Sequence, residues 1–309
     1  MSQTEERIGV IMRTTGSFYR VRETNGKITE CTLRGKIRTQ GLKSTNPLAV
    51  GDIVRFTWHA DEQTGAISGF EKRKNYILRK SVNLSKQYHI LCANVDQALL
   101  IATLEEPFTP LGYIDRFLVT CEAYHIPAIL VFNKVDRLTT PKLMEKAEAY
   151  YAIYRQIGYP VYPFCAESQI YRNQAIEILK DKTTFLGGHS GAGKSTFINL
   201  AEPELTLRTG HISESSGKGK HTTTFAEMFP LSFGGAVIDA PGFKEMELYD
   251  IHKWELSGYF PEMRKYMSAC KFNDCTHTQE PGCAVLDALA AGFISETRYH
   301  TYLGMLSSL

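Results

Sequence analysis

The stretch Gly188-His189-Ser190-Gly191-Ala192-Gly193-Lys194-Ser195 decides the fold. It matches G-x-x-x-x-G-K-[ST], follows an apolar segment at 183–186 that suits a strand, and precedes a helix-forming run at 196–200. In that setting the glycines let successive backbone N–H groups point into one concavity, where they bind phosphate oxygens. Lys194 would bridge the β- and γ-phosphates of a nucleotide and stabilise their charge during phosphoryl transfer. The Ser195 hydroxyl would ligate Mg²⁺, a hard cation that takes oxygen ligands. With Thr196, residues 188–196 form the expected phosphate-binding segment.

A phosphate cradle does not choose between ATP and GTP, so the base reader has to be found elsewhere. Upstream, the apolar runs 97–103 and 127–132 read as buried strands, with helices expected at 111–124 and 141–157. A strand at 161–164, a helix near 172–180 and strands at 183–186 and 236–239 continue the alternation. Such repetition builds a parallel sheet covered on both faces. Asn133-Lys134-Val135-Asp136 stands at the carboxyl end of the second strand, where α/β sheets bind ligands. A carboxylate there accepts from both the ring N–H and the exocyclic amine of guanine. Adenine offers an acceptor in place of the first donor and lacks that amine, so Asp136 should discriminate strongly. Lys134 would lay its stem over the base, and Asn133 would tie this loop to the phosphate loop. Cys165-Ala166-Glu167 falls where a second base contact would lie.

Downstream, Asp239-Ala240-Pro241-Gly242 ends the strand at 236–239. Asp239 would hold Mg²⁺ through water, and the Gly242 N–H would reach the γ-phosphate. Between the two phosphate motifs lies Gly217-Lys218-Gly219-Lys220-His221-Thr222-Thr223-Thr224, where one threonine would complete the Mg²⁺ shell and sense the γ-phosphate. Thr223 is the central one of the three. Ras-like enzymes place a water-orienting glutamine after the glycine of this last motif; here Phe243 stands there, and His221 is the nearest candidate for positioning water. The catalytic set is therefore Lys194, Thr223 and His221. The motif order is base reader, phosphate loop, threonine loop, magnesium aspartate, a circular permutation of the Ras-like order. Termini of compact domains often lie close together, so a permuted connection can keep the same sheet.

Residues 1–75 have a different texture, with short strands expected at 8–12, 17–22, 28–34, 52–57 and 66–71, divided by turn formers such as Asn25-Gly26 and Thr64-Gly65. Five short strands suggest an OB-like barrel. The formal charge of +2 conceals an asymmetry: residues 1–86 carry 16 Lys/Arg against 8 Asp/Glu, a net of +8, and the remainder a net of −6. A basic barrel of this kind is expected to meet a polyanion. No apolar run approaches the roughly 18 residues that span a bilayer, and the first residues are polar, so a cytoplasmic protein without membrane association is expected.

Of seven cysteines, Cys270, Cys275 and Cys283 cluster with His277. Cys-x4-Cys-x-His-x5-Cys offers three thiolates and an imidazole, a closed tetrahedral set for one structural Zn²⁺ with no position left for substrate. A helical stretch is expected from 284 onward. The expected fold is thus an all-β OB-like barrel (1–75), a central α/β circularly permuted P-loop GTPase domain (76–245) and a mainly helical zinc-binding module (246–309).

The basic barrel, NKVD, GHSGAGKS, GKGKHTTT, DAPGF and the Cys/His set occur in this order along almost the whole chain, which resembles the ribosome small-subunit-dependent GTPase A family. The resemblance implies GTP hydrolysis stimulated by the small ribosomal subunit, binding to its ribosomal RNA, and a role late in its maturation. It carries GTP contacts onto 133–136 and 188–196 and zinc ligands onto Cys270, Cys275, His277 and Cys283. A common form of the family's threonine loop has arginine where Lys218 and Lys220 stand; lysine keeps the charge but loses the bidentate fork. GTP with Mg²⁺, GDP and the small subunit are the expected partners, and the chain is expected to be a monomer. A small-molecule kinase would share the phosphate cradle, but the guanine reader argues against it.

Overall fold

The computed structural model describes residues 5–34, 47–59, 61–80, 88–205, 226–240 and 251–309. They form two compact units, each assembled from separate stretches of chain. The first comprises 1–97, 172–186 and 195–247, and the second 98–171, 187–194 and 248–309.

The first unit opens with β1 (Glu5–Thr15), β2 (Phe18–Glu23), β3 (Ile28–Leu33), β4 (Ile53–His59) and β5 (Thr64–Phe70). β1 pairs antiparallel with β2 and β4, β2 with β3 and β4 with β5, while β3 runs parallel to β5. That circuit closes a five-stranded barrel in the OB pattern. Strict alternation makes it possible: β2 turns Tyr19, Val21 and Glu23 inward and Phe18, Arg20 and Arg22 outward. Ile11, Tyr19, Val21, Cys31, Val54, Phe56 and Ile67 fill the interior. Asn25-Gly26 makes the β2–β3 turn, with Gly26 at φ 86° and Asn25 Oδ1 accepting from the Lys27 N–H at 2.8 Å. The fully buried Asp52 is held by Arg73 at 2.6 and 2.7 Å. All five strands lie within three residues of their expected bounds. A hairpin of β6 (Tyr76–Lys80) and β7 (Tyr88–Ala93) follows, which the sequence reading did not anticipate.

The second unit begins with β8 (Gln97–Thr103), α1 (Leu111–Ala123), β9 (Ala128–Asn133), α2 (Pro141–Ile157) and β10 (Val161–Pro163). β8, β9 and β10 are parallel, and every residue of β8 is buried, the apolar stretch 98–102 between Gln97 and Thr103, whose polar side chains are hydrogen-bonded. α2 has the bounds its sequence signals. The Thr140 hydroxyl caps the Leu143 N–H at 3.3 Å, Pro141 opens the first turn, and Gly158 at φ 114° ends the helix.

The chain then returns to the first unit with α3 (Arg172–Leu179), β11 (Thr183–Gly187), α4 (Lys194–Ala201), β12 (Glu227–Pro230) and β13 (Ala236–Asp239). β11 and β13 are parallel, with Phe185 opposite Ile238. β12 is antiparallel to β13 and also meets β1, pairing Glu227 with Arg13.

The remainder of the second unit is α5 (Pro261–Met267), α6 (Ala284–Ala290) and α7 (Glu296–Ser308). The single helical stretch expected from 284 is two helices. Gly292 at φ 78° stops α6: its N–H reaches the Leu289 carbonyl at 3.0 Å and the Phe293 N–H reaches Ala288 at 2.9 Å. This is a Schellman C-cap, for which glycine in the left-handed region is the usual residue. Leu256, Phe260, Met263, Val285, Tyr302 and Met305 form the core here, together with Val119 of α1.

Among them Arg298 of α7 is fully buried. Its guanidinium makes 2.7 and 3.2 Å bonds to Glu262 and a 2.8 Å bond to Asp115 of α1, which also accepts from Tyr154 at 2.8 Å. Burial works against the charge on Arg298, and the two carboxylates more than offset it, so the side chain stays protonated.

Candidate nucleotide site and metal centre

Within the second unit, Asn133 ends β9 and joins three loops. Its Nδ2 donates to the Ala192 carbonyl of the phosphate loop at 2.8 Å, and its Oδ1 accepts from the Ala166 N–H at 2.9 Å. The base loop and the phosphate loop are therefore clasped through one buried side chain. Gly193, at φ 98°, lies against the same amide, and a Cβ there would collide with it. Lys134 sits in the left-handed region at φ 65° and directs its ammonium to the Glu106 carbonyl at 2.7 Å. Burial and then Arg137 pull that ammonium below the ordinary lysine range. The Val135 N–H bonds Phe164 at 3.1 Å, so the following loop is strapped to this one. Asp136 is exposed, available to a base.

The phosphate loop spans from the end of β11 to the start of α4. Gly188 has φ 134° and would strike the Ile101 carbonyl with any Cβ, so glycine is required there as well. The Lys194 ammonium bonds the carbonyls of Gly188 and His189 at 2.7 and 2.9 Å, curling over its own loop. A triphosphate would offer this buried cation a stronger, charged partner. Ser190, Gly191 and Ala192 form the intervening turn, and Ala192 is buried.

The first unit holds Ser195 and Thr196 in the first turn of α4, and Asp239 as the last residue of β13. Parallel pairing brings β11 and β13 level, so Asp239 stands at the carboxyl end of this strand pair. A hydroxyl and a carboxylate are oxygen donors of the kind Mg²⁺ takes.

The second unit also contains a Cys/His cluster that could hold a metal. The ligand atoms of Cys270, Cys275, His277 and Cys283 all lie within 4.8 Å of one another. Cys270 and Cys283 have sulfurs 3.9 Å apart, and His277 Nδ1 is 3.6 and 3.4 Å from them. A tetrahedron with Zn–S about 2.3 Å and Zn–N about 2.0–2.1 Å has edges near ~3.8 and ~3.6 Å, so Cys270, His277 and Cys283 have the spacing of three donors of a four-coordinate site, with Cys275 within 4.8 Å of each. The cysteines are unpaired thiols, at separations no disulfide has. His277 at φ 57° and Gly282 at φ 74° turn the knuckle. Glu280 secures it by accepting from the Thr276, Thr278 and Gln279 N–H groups at 2.7, 2.9 and 3.1 Å. Tyr299 and Tyr302 of α7 donate to the carbonyls of His277 and Thr276 at 2.7 and 2.6 Å, binding knuckle to helix.

Comparison with known proteins agrees on one family. Residues 70–249 match the RsgA GTPase model and residues 8–67 the RsgA N-terminal domain model. A protein of Flavobacterium psychrophilum named small ribosomal subunit biogenesis GTPase RsgA is 48% identical over 304 residues, covering 96% of this chain and 92% of its own. A protein of Phocaeicola vulgatus with the same name is 47% identical over 298 residues, covering 96% of each. The chain belongs to the RsgA GTPase family. The crystal structure of YjeQ from Thermotoga maritima superposes with TM-score 0.78 at 33% identity over 99% of both chains. That of YloQ, described as a circularly permuted GTPase, gives 0.76 at 30% identity over 98% of this chain and 95% of its own. The RsgA fold here is accordingly a barrel followed by a circularly permuted GTPase and a Cys/His-bearing helical region.

For this RsgA chain, Asn133, Lys134, Val135 and Asp136 and the loop from Gly188 to Lys194 come together in one unit. Ser195, Thr196 and Asp239 stand at strand and helix ends in the other. His221, Thr222, Thr223, Thr224, Gly242, Phe243, Lys218 and Lys220 lie outside the described residues. Sequence reasoning missed two residues that touch the loops. Tyr113 stacks near His189 with ring centroids 3.9 Å apart, and Glu106 receives Lys134. Neither belongs to a motif; the one signal was that Glu106 lies in the loop after β8 and Tyr113 in the first turn of α1, both at the carboxyl end of a parallel strand.

Proposed function

We propose that the chain hydrolyses GTP to GDP and phosphate as a late maturation factor of the small ribosomal subunit. It binds ribosomal RNA and turns over faster when the subunit is present. The nucleotide reading is carried by the Asn133 clasp, which fixes the base loop relative to the phosphate loop so that one ligand can meet both. Asp136 pairs with the guanine edge, Lys134 covers the ring, and backbone N–H groups of residues 188–196 hold the phosphates. Ser195, and Asp239 through water, would hold Mg²⁺, which when bound would draw charge from the phosphate oxygens. Lys194 neutralises the β- and γ-phosphates, the Gly242 N–H reaches the γ-phosphate, Thr223 senses it and His221 positions the attacking water.

The metal at Cys270, Cys275, His277 and Cys283 is one structural Zn²⁺. Four protein ligands leave no open position, so its work is to hold the knuckle on α7. We assign three modules: the barrel at 1–75, the GTPase domain at 76–245 and the zinc-binding region at 246–309. The ribosomal part of the reading is supported by the relatives, which are named small ribosomal subunit biogenesis GTPases. The basic charge of residues 1–86 suits RNA. A cytoplasmic monomer fits these partners, and no helix among the described residues is long and apolar enough to cross a membrane.

The deciding experiment is GTP hydrolysis with and without purified small ribosomal subunits, with ATP as control and Ser195→Ala as the inactive variant. Stimulation by the subunit, lost in S195A, is expected. Equal turnover of ATP would overturn the nucleotide reading, and indifference to the subunit the ribosomal one.

A further inference from the structure

The phosphate-loop motif describes the loop from the side that meets the nucleotide; its other side rests on residues 107–117. Pro107 packs on Gly191, whose Cβ position lies 3.5 Å from the proline Cδ. The Tyr113 ring lies 3.9 Å from that of His189 at an interplanar angle of 32°, and the Gly188 N–H faces its hydroxyl oxygen. One turn further along α1, the Phe117 ring leaves no room for a side chain at Gly187. Three residues of one short stretch thus lie against Gly187, Gly188, His189 and Gly191.

Tyr113 has a particular place among them. It meets the Gly188 N–H and the His189 ring, and the Lys194 ammonium engages the carbonyls of the same two residues. Tyrosine and lysine therefore hold the same two residues. When a triphosphate arrives, Lys194 must leave those carbonyls for the phosphates. A loop segment deprived of the lysine then keeps Tyr113 among its supports, beside the Ala192 N–H on the His189 carbonyl at 3.2 Å.

We propose that Tyr113 is a positioning residue for the triphosphate, acting through the Gly188–His189 segment on Lys194. The proposal rests on the nucleotide reading above and adds a residue outside its motifs. Its consequence is selective. Removing Tyr113 weakens binding of the phosphates and leaves the reading of the base intact, because the base loop is also held outside the phosphate loop, by Asn133 on the Ala166 N–H and by the Val135 N–H on the Phe164 carbonyl.

The test is binding of GTP, GDP, GMP and XTP to the full-length chain with Tyr113→Ala, Tyr113→Phe and His189→Ala. Y113A should weaken GTP and GDP by roughly tenfold, the scale of one lost hydrogen bond and ring contact. GMP affinity and the GTP-to-XTP preference should stay at wild-type values. Y113F, which keeps the ring, should fall between, and H189A should resemble Y113A. In a Lys194→Ala background the Y113A effect should largely vanish, since Tyr113 acts through that lysine. Equal loss for GTP, GDP and GMP, or an undiminished Y113A effect beside K194A, would overturn the proposal and leave Tyr113 a structural residue. If Y113A fails to fold, Y113F and H189A carry the same comparison, and wild-type affinity in both would overturn it. Absence of guanine-nucleotide binding by the wild-type chain would instead refute the underlying nucleotide reading.

Discussion

The Asn133 side chain gives its Nδ2 proton to Ala192 at 2.8 Å and takes the Ala166 N–H at 2.9 Å on its Oδ1, so one amide sets the spacing of three loops. Asn133→Ala leaves a buried carbonyl and a buried N–H without those partners. Unmade buried bonds of this kind cost about 1–3 kcal/mol, so GTP affinity should fall by roughly 5- to 150-fold. Titration with a fluorescent GTP analogue measures it; unchanged affinity would show the loops to be held by other means.

Asp136→Asn tests the base assignment by chemistry. An amide presents a donor where the carboxylate accepted, and xanthine has a carbonyl where guanine has its amine. The variant should lose GTP and gain XTP, inverting a preference of about 10²-fold or more, the scale typical when a hydrogen-bonding site meets the wrong edge. Loss of both nucleotides without XTP gain would argue against direct pairing.

Metal removal should loosen the knuckle and the helix it grips. Burial pushes the Cys275 thiol up to about 12 and pulls His277 below its ordinary value. Metal binding must displace the thiol proton, so apparent affinity should fall steeply in acid. In the stripped chain the sign for His277 is fixed: its folded pKa lies below the unfolded one. Its contribution is whole above the unfolded value of about 6.5 and fades as pH drops through the folded value. Denaturation of stripped and zinc-loaded chains between pH 8 and 5, spanning the roughly 6.5 reference, reads both effects. Identical curves would refute a structural metal.

Arg298→Ala should destabilise the second unit by about 3–5 kcal/mol, because Asp115 and Glu262 would remain buried without a counter-charge. Replacing all three by well-packed apolar residues should restore most of that loss. Urea denaturation distinguishes the cases; a near-neutral R298A would mean that water or a rearranged side chain takes the place of the guanidinium.

These side chains also mark where reading the sequence stopped. Gly188, Lys194, Asn133 and Asp136 were legible because their chemistry constrains residue type and spacing together, and the flanking strands have unbroken apolar runs. The barrel was legible through alternation, as in β2. β12 was not, since Glu-Met-Phe-Pro is too short to alternate and finds its place by pairing with β1 and β13. The α6 stop was signalled by Gly292, but apolar residues on either side obscured it. Arg298 reads as an ordinary solvated arginine, because its two carboxylates lie 36 and 183 positions away and no local pattern announces them. Tyr113 has the same difficulty: its partner is adjacent only after folding.

The arginine at 298 also sets a clock during synthesis. α1 is made early, yet the counter-ion for its buried carboxylate emerges 183 residues later. At about 5–20 residues per second that interval is on the order of ten to forty seconds. For that time Asp115 lacks the counter-charge that offsets its burial, and the helix behind the phosphate loop has reason to stay loosely docked. Nascent chains stalled with residue 298 inside the ribosomal exit tunnel should leave α1 open to protease, and those stalled with it outside should not.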